Sequence, residues 1–330
     1  MNVIETQPER VDLPLVVLPV SIASMIEPFR GNLSLLHDVA RVRMHQDFTL
    51  DEDTIVSRCA GADAVMVIGF HVTDSILERL GDHVRCFAFG GTGVASYIDL
   101  ARTRALGIRV CNVVHYGDNA VAEHALALIM ELSRHVGDLD RSVHMGAWTG
   151  TDGLALHGRT MGLVGFGGIG QAMARIARGL GMRTLVWNSH VDAEAARSLK
   201  ATPVEDLGDL FERSDIVSLH LPYTASTRGI VTGRHLSRLR PGGMLINTAR
   251  AEIVERGALQ ARLQAGDIMA GLDVFDQEPL APDDPLLSMP GVVLTPHVAW
   301  RTDEAYVSLT RQVVRAIASF FDGGTFNAVA

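Results

Sequence analysis

The chain has 330 residues, of which 47% are hydrophobic and 20% are charged, and its formal net charge is -9 at pH 7. This length is large for one hydrophobic core, so we expect two domains. The acidic balance argues against nucleic acid and against an anionic membrane surface as partners. The composition is that of an ordinary globular protein with enough apolar residues for a sizeable core.

Neither the N-terminal region nor the cysteines point to export. The apolar stretch from Leu13 to Val20 follows acidic residues and is interrupted by two prolines, so we expect a first strand and not a signal peptide. No stretch approaches the length of a membrane span. Because Cys59, Cys86 and Cys111 are far apart in the sequence, we expect buried free thiols, no metal site and a cytoplasmic location.

The first third of the chain alternates short strands with short helices, which predicts a parallel sheet with helical crossovers. The expected strands are 41–45, 64–68, 85–89 and 108–112, and the expected helices are 54–60, 73–80 and 98–106. From Asp118 onwards, apolar residues recur at spacings of three and four. This periodicity predicts one long helix that ends near Gly146.

A second alternation begins with an apolar strand at 161–164, which runs into Gly165, Gly167 and Gly170 at the G-x-G-x-x-G spacing. That spacing gives a tight turn in which the glycines carry no side chains. A pyrophosphate can therefore come close to the first N–H groups of the following helix. Glycines also occur where a helix only packs closely on a sheet. Here, helical periodicity at 171–180 and a strand at 184–187 supply the βαβ context of a dinucleotide site.

Further apolar runs at 216–219, 244–247, 269–273 and 292–295 complete a predicted six-stranded, doubly wound sheet. After residue 296 we expect a final helix that returns to the first domain. Its predicted buried face comprises Tyr306, Leu309, Val313, Ile317 and Phe320.

Ligands of such folds bind at the carboxyl ends of the strands, and four strand ends carry suitable groups. They are 90–93, 247–250, 273–279 and 295–297. Arg250 can hold a carboxylate through paired hydrogen bonds, and a glycine turn can offer N–H groups to the same anion. His297 can exchange a proton with an oxygen, and a neighbouring Glu278 favours its protonated form. Together these groups suit hydride transfer between a nicotinamide and a 2-hydroxy or 2-oxo acid.

Each of these residues also has a structural interpretation. Arg250 could form a surface ion pair, Glu278 could be a loop residue, and His297 could hydrogen-bond a turn. Their joint placement at strand ends of one sheet favours the functional interpretation. We interpret His220 as structural or adjacent to the cofactor, and His124 as a helix-surface or interdomain residue.

Several motifs resemble those of the D-isomer-specific 2-hydroxyacid dehydrogenases. They are Gly91–Gly93, Ile98–Asp99, Ala120–His124, Val164–Gly170, His220–Pro222, Asn247–Arg250, Asp273–Leu280 and Thr295–His297. The resemblance covers most of the chain after about residue 60. It implies a Rossmann-type, doubly wound parallel sheet inserted into a smaller flavodoxin-like α/β substrate domain. Residues 1–116 and 299–330 would form the substrate domain, and residues 117–298 the dinucleotide-binding domain.

The resemblance also implies the roles of the site residues. Arg250 would bind the substrate carboxylate and polarise the carbonyl, Glu278 would orient and tune His297, and His297 would be the acid and base. The implied substrate-binding residues are Gly91, Thr92, Gly93 and Arg250. The implied cofactor-binding residues are Gly165, Gly167, Gly168, Ile169, Gly170, Asn188, His220, Pro222, Thr227, Ala249, Asp273 and His297. Among these, Asp273 matches the position that meets the nicotinamide carboxamide.

Three residues depart from the pattern of the family. Ala251 stands where glycine is common, and Trp300 stands where smaller or different residues are common, so the substrate pocket could be reshaped. Asn188 ends the second strand of the cofactor domain, where NAD-preferring members usually carry an acidic residue. An amide can bond a ribose without repelling a 2′-phosphate. We therefore expect NAD to be weakly favoured and NADP to be usable.

The implied partners are a small 2-hydroxy or 2-oxo acid and a second copy of the chain, since members are usually homodimers joined through the cofactor domains. Glu278 argues against a formate dehydrogenase, in which a glutamine takes its place. Glyoxylate, hydroxypyruvate and bulkier 2-oxo acids stay open as substrates, because selectivity lies in the shape of the pocket. The alternative is a dinucleotide-responsive scaffold resembling the C-terminal-binding-protein corepressors, which predicts binding without turnover.

Overall fold

The computed structural model describes residues 3–330, in which thirteen strands and twelve α-helices alternate along most of the chain. The strands are β1 Val3–Thr6, β2 Leu15–Leu18, β3 Arg41–His45, β4 Ala64–Val67, β5 Cys86–Phe89, β6 Arg109–Cys111, β7 Thr160–Val164, β8 Arg183–Trp187, β9 Ala201–Pro203, β10 Ile216–Leu219, β11 Met244–Asn247, β12 Met269–Leu272 and β13 Val292–Leu294. The α-helices are α1 Ile26–Asn32, α2 Glu52–Arg58, α3 Asp74–Leu80, α4 Leu100–Ala105, α5 Asp118–Arg134, α6 Val136–His144, α7 Gly168–Gly179, α8 Ala193–Leu199, α9 Leu207–Arg213, α10 Gly233–Leu236, α11 Ala258–Leu263 and α12 Asp303–Phe321. Short 3₁₀ helices lie at Ala23–Met25, Leu33–Leu36, Val94–Ser96, Ala251–Ile253 and Pro285–Ser288. Of the helices in this range, none has both the length and the apolar composition that a membrane crossing requires.

The chain divides into two compact units. The first unit consists of Met1–Tyr116 and Thr302–Ala330, and the second unit consists of Gly117–Arg301. The second boundary between the units falls after residue 301, whereas the resemblance implies a boundary after residue 298.

The sheet of the first unit has, within the described residues, the strand order β1-β3-β2-β4-β5-β6. Its five parallel strands follow the flavodoxin-like order, and β1 adds to the edge by pairing antiparallel with β3. Strands β2, β4 and β5 are fully buried. Helix α12 packs on α1 and β5 through the predicted residues Tyr306, Leu309, Val313 and Ile317, whereas Phe320 is half-buried.

The strands and helices predicted between residues 41 and 112 are present, with ends that differ by at most two residues. The prediction that 13–20 holds the first strand of the chain is wrong, because β1 precedes β2. Strand β1 is half-exposed and contains a glutamate, as an edge strand can, so its apolar signal is weak. Helix α1 was also not predicted, because it contains a proline and a glycine, the two poorest helix formers.

The sheet of the second unit has the order β13-β12-β11-β10-β7-β8-β9 within the described chain, and its adjacent strands are all parallel. Side chains alternate between two cores. Ile216 and Met244 face a core formed with α5 and α7, whereas Val217 and Leu245 face a core formed with α9 and α10. Helices thus cover both faces, and the predicted doubly wound, Rossmann-type class is confirmed.

The predicted count of six strands in this sheet is wrong, because β9 adds a seventh strand at the edge. Strand β9 is only three residues long, exposes Thr202, and ends in Pro203, which is also exposed. Proline lacks the N–H group that a central strand needs and is tolerated at an edge. The apolar run that marks the other strands is therefore missing here.

The predicted single helix from Asp118 to near Gly146 is also wrong. This segment forms two helices, α5 and α6, which are separated at His135, whose φ of 54° lies in the left-handed region. A residue with that φ ends a right-handed helix. The Glu131 carboxylate then accepts the N–H group of Gly137 at the start of α6.

Candidate active site

The glycine turn between β7 and α7 is built for close backbone approach. Gly165 has a φ of +105°, and a Cβ atom there would lie 2.6 Å from the carbonyl carbon of His220. A Cβ atom on Gly170 would collide with the carbonyl oxygen of Gly165. At Gly167, by contrast, such a Cβ would have no atom within 4 Å among the described residues other than its chain neighbours. The first and third glycines thus allow tight packing, and the second leaves the backbone at residue 167 uncovered by other residues.

The first turn of α7 presents uncapped N–H groups. No side chain among residues 3–330 caps this helix, and its first turn contains no acidic residue. Gly168, Ile169 and Gly170 begin the helix, where backbone N–H groups have no intrahelical acceptor and the helix dipole is positive. This arrangement, together with the open backbone at Gly167, fits the pyrophosphate of a dinucleotide.

His220 follows β10 and is buried. Neither of its ring nitrogens has a hydrogen-bond partner within the described part of the chain. Burial lowers the pKa of His220 to about 4, so its ring is neutral at pH 7. A buried, unpaired polar ring is unfavourable unless a ligand or water completes it. This supports the interpretation of His220 as a residue adjacent to the cofactor.

Asn188, at the end of β8, donates from Nδ2 to the carbonyl oxygen of His190 at 2.7 Å. Its side-chain oxygen is therefore the group that can accept a hydrogen bond from a ribose hydroxyl. Thr227 donates to the carbonyl oxygen of Pro222 at 2.6 Å and accepts the N–H group of Thr224 at 2.8 Å. The Thr227 hydroxyl thus closes the loop after His220, and its contact with a cofactor stays a prediction.

Arg250 is held by a turn that Asn247 closes after β11. The side-chain oxygen of Asn247 accepts the N–H group of Ala249 at 3.0 Å, and its amide group donates to the carbonyl oxygen of Arg250 at 2.9 Å. The half-buried Arg250 guanidinium donates to the carbonyl oxygen of Ala249 at 2.7 Å. Ala251 begins a right-handed 3₁₀ helix, a conformation that alanine adopts without strain.

Glu278 and His297 form a hydrogen-bonded pair, with Oε2 of the carboxylate 2.7 Å from Nδ1 of the ring. The other carboxylate oxygen accepts the N–H group of Phe275 at 3.0 Å. Burial opposes ionisation of Glu278. The effect of burial is outweighed by the hydrogen bond and charge of His297, by the N–H group of Phe275 and by the charge of Arg250. The pKa of Glu278 is therefore lowered. An ionised carboxylate only accepts, which places the proton on Nδ1 and leaves Nε2 for the chemistry.

Asp273 organises the loop that carries His297. Its fully buried carboxylate accepts the N–H groups of Val298 and Ala299 at 2.9 and 2.8 Å. It also accepts the hydroxyl of Thr295 at 2.6 Å, and its backbone oxygen accepts the N–H group of His297 at 2.9 Å. A contact of Asp273 with the nicotinamide carboxamide stays a prediction. The loop-organising role is one that sequence reasoning missed.

His124 was also missed as a site residue. It lies on α5, is half-buried, and its Nε2 is 2.9 Å from the hydroxyl oxygen of Thr295. The two residues are 171 positions apart, so no local sequence signal links them.

The turn of Gly91, Thr92 and Gly93 belongs to the first unit and follows β5. The Thr92 hydroxyl donates to the carbonyl oxygen of Val113 at 3.0 Å, and Asn112 donates to the carbonyl oxygen of Thr92 at 3.1 Å. These bonds fix the turn to the end of β6. The three cysteines are free and buried, as the sequence predicts.

Residues 126–299 match the family model of the D-isomer specific 2-hydroxyacid dehydrogenase, NAD binding domain. The chain belongs to the D-isomer specific 2-hydroxyacid dehydrogenase family. It is an oxidoreductase that acts on CH–OH groups and transfers a hydride between a nicotinamide dinucleotide and a 2-hydroxy acid or 2-oxo acid.

The enzyme is similar to proteins with the following names. The glyoxylate reductase of Korarchaeum cryptofilum is 35% identical over 278 residues, which cover 82% of this chain and 82% of that protein. The hydroxypyruvate reductase of Thermotoga maritima is 34% identical over 278 residues, which cover 81% of this chain and 88% of that protein. The apo-structure of D-lactate dehydrogenase from Escherichia coli has a TM-score of 0.83 and 28% identity, covering 96% of this chain and 100% of that chain.

Proposed function

We propose that the enzyme reduces a small 2-oxo acid of the glyoxylate or hydroxypyruvate type, with a bulkier 2-oxo acid as the alternative substrate. The observation that carries the catalytic part of this proposal is the 2.7 Å pair of Glu278 and His297, close enough to Arg250 for its charge to act on Glu278. The substrate class is supported by the relatives named glyoxylate reductase and hydroxypyruvate reductase, which match over most of their length.

When bound, the nicotinamide supplies the hydride that the carbonyl carbon receives. His297 donates the proton on Nε2 to the carbonyl oxygen in the same step, and Glu278 keeps Nδ1 protonated and the ring oriented. In the reverse direction, Nε2 of the neutral ring accepts the hydroxyl proton. Arg250 holds the substrate carboxylate and polarises the carbonyl through its planar donors.

A panel of 2-oxo acids with NADH and with NADPH tests this proposal. We expect glyoxylate or hydroxypyruvate to give the highest kcat/KM, with branched 2-oxo acids reporting the bulkier alternative. Highest activity with a branched 2-oxo acid would contradict the preferred substrate class. Binding of a dinucleotide without turnover across the whole panel would contradict an enzymatic role and favour a scaffold.

Replacing Glu278 by glutamine is expected to lower kcat/KM for ketoacid reduction. The variant loses the charged acceptor that keeps Nδ1 of His297 protonated and holds the ring in place, so Nε2 is no longer fixed for the proton transfer. Steady-state kinetics of both proteins at the same pH is the measurement. An unchanged kcat/KM in the folded variant would contradict the functional coupling of the pair.

The cofactor preference is proposed to be weak, with NAD(H) slightly favoured and NADP(H) usable. Asn188 offers a neutral acceptor to the ribose, and residues 188–191 contain no arginine or lysine to attract a 2′-phosphate. Asn188→Asp should increase the preference for NAD(H), because a carboxylate repels that phosphate. The measurement is kcat/KM for NADH and NADPH in both proteins. A wild-type preference above about a hundredfold, roughly 2.7 kcal/mol, would show that other groups control the site.

We also propose that two copies associate through their dinucleotide-binding units. Helix α6 has no buried residue among those described, yet Val136 and Val143 lie on one of its faces. Met145 and Trp148, just beyond the helix, are 75% and 91% exposed. An exposed apolar patch of this kind is typical of an interface.

Light scattering should give twice the 35.6 kDa mass of one chain. The double variant Val143→Glu and Trp148→Glu should shift the protein towards monomer, because both charges would be buried at the interface. Leu106→Glu, at an exposed apolar residue of the first unit, is the control and should keep the wild-type mass. A double variant that stays dimeric would place the interface elsewhere.

A further inference from the structure

His297 has an unfavourable backbone conformation that its surroundings must maintain. Its φ of 52° lies in the left-handed region, where a residue other than glycine is strained. The N–H group of His297 donates to the backbone oxygens of Asp273 and Thr295 at 2.9 and 3.1 Å. The next two N–H groups donate to the Asp273 carboxylate. The position of the imidazole therefore depends on how Asp273 is held.

The direction of the hydrogen bonds around Asp273 follows from its chemistry. The Thr295 hydroxyl donates to Oδ1 of Asp273, 2.6 Å away, and this bond uses its single proton. At the 2.9 Å contact between Thr295 and His124, the hydroxyl oxygen must then accept, and Nε2 of His124 must donate. That nitrogen is also 3.6 Å from Oδ1 of Asp273. His124, Thr295 and Asp273 thus form one directed chain that ends at the loop of His297.

We propose that Thr295 and His124 are positioning residues for His297, acting through the carboxylate of Asp273. The proposal rests on the proposed role of His297 as the acid and base. Thr295 fixes one oxygen of a fully buried carboxylate, and His124 fixes the hydroxyl of Thr295 from α5. Removing the hydroxyl leaves Oδ1 with only the Val298 N–H group as donor, so the carboxylate and the two backbone N–H groups that follow His297 are held less firmly. A misplacement of about 1 Å in a reacting group lowers a rate by about a hundredfold.

The test compares Thr295→Val, which keeps the shape but lacks the hydroxyl, with Thr295→Ser, which restores the hydroxyl. We expect Thr295→Val to lower the single-turnover rate of NADH oxidation by about 10- to 100-fold and Thr295→Ser to lower it by less than about threefold. The KM of the 2-oxo acid and the Kd of NADH should change by less than about threefold, because the Arg250 turn and the glycine turn are untouched. Thr184→Val, at a buried threonine of β8, is the matched control and should keep the wild-type rate.

A double-mutant cycle separates positioning of His297 from a general structural effect. In a His297→Asn background, which lacks the acid, Thr295→Val should change the residual rate by less than about twofold. Equal losses in both backgrounds, or a wild-type rate in Thr295→Val, would overturn the inference. A fully active His297→Asn variant would instead refute the proposed role of His297.

Variants of His124 test the same hydrogen-bonded chain from its other end. They also provide the test if Thr295→Val does not fold. His124→Gln can keep an N–H donor, whereas His124→Phe cannot. We expect the phenylalanine variant to be slower than the glutamine variant by about tenfold, with the same Kd for NADH. Equal rates in the two folded variants would overturn the role of His124.

Discussion

Replacing His297 by asparagine is expected to lower kcat/KM for reduction of the 2-oxo acid by about 10²–10⁴-fold, the usual contribution of a positioned acid or base. Asparagine tolerates the left-handed backbone that this position requires. Its amide can also donate to Glu278 as Nδ1 does, so the variant keeps the loop and the pair. It removes only the group that gives and takes the proton.

The Kd of NADH, measured by fluorescence titration, should stay within about threefold of the wild-type value in this variant. The thermal unfolding midpoint checks that the loop is intact. A loss of activity smaller than about tenfold, with wild-type cofactor binding, would mean that another group or water carries the proton.

The three proposed catalytic residues could be placed from the sequence because parallel strands share the direction of their ends. Arg250, Glu278 and His297 follow β11, β12 and β13, which are adjacent in the sheet. A residue a few positions beyond each carboxyl end is thereby brought to one edge. The glycine turn could be placed for the same reason, since its spacing and the flanking βαβ unit are local features of the chain.

The contacts of the supporting residues could not be predicted, because their partners are set by packing and not by pattern. Asp273 accepts bonds from residues 22 to 26 positions away, and His124 contacts a residue 171 positions away. Periodicity reports which face of an element is buried, but it does not report which polar group a side chain will find there.

The errors in the fold also have local physical causes. The spacing of Val136, Leu139 and Val143 continues the helical pattern of α5, so periodicity alone hides the break at His135. Strand β9 lies at a sheet edge, where a strand need not be apolar. The strands with a strong apolar signal were placed to within two residues, whereas β1 and β9, whose apolar signal is weak, were not predicted.

Arg250 is the residue for which charge and shape can be separated. Arg250→Met removes the planar cation and should lower kcat/KM for the 2-oxo acid by about 30- to several-thousand-fold, or about 2–5 kcal/mol, because the substrate carboxylate loses its charged partner. Arg250→Lys keeps the charge without the paired donors and should fall between Arg250→Met and the wild type. Arg256→Met, at an exposed arginine of the same unit, is the control and should keep wild-type kinetics.

The pH dependence of Arg250→Met gives a second, independent readout. The charge of Arg250 is the smallest of the effects that lower the pKa of Glu278, so its loss should raise that pKa slightly. Glu278 is ionised above its pKa, and activity that needs the carboxylate is lost as pH falls through it. The acidic limb of the kcat/KM profile should therefore move to slightly higher pH in Arg250→Met and stay in place in Arg256→Met. A large loss of kcat/KM in Arg256→Met, or wild-type kinetics in Arg250→Met, would show that a different cation binds the substrate carboxylate.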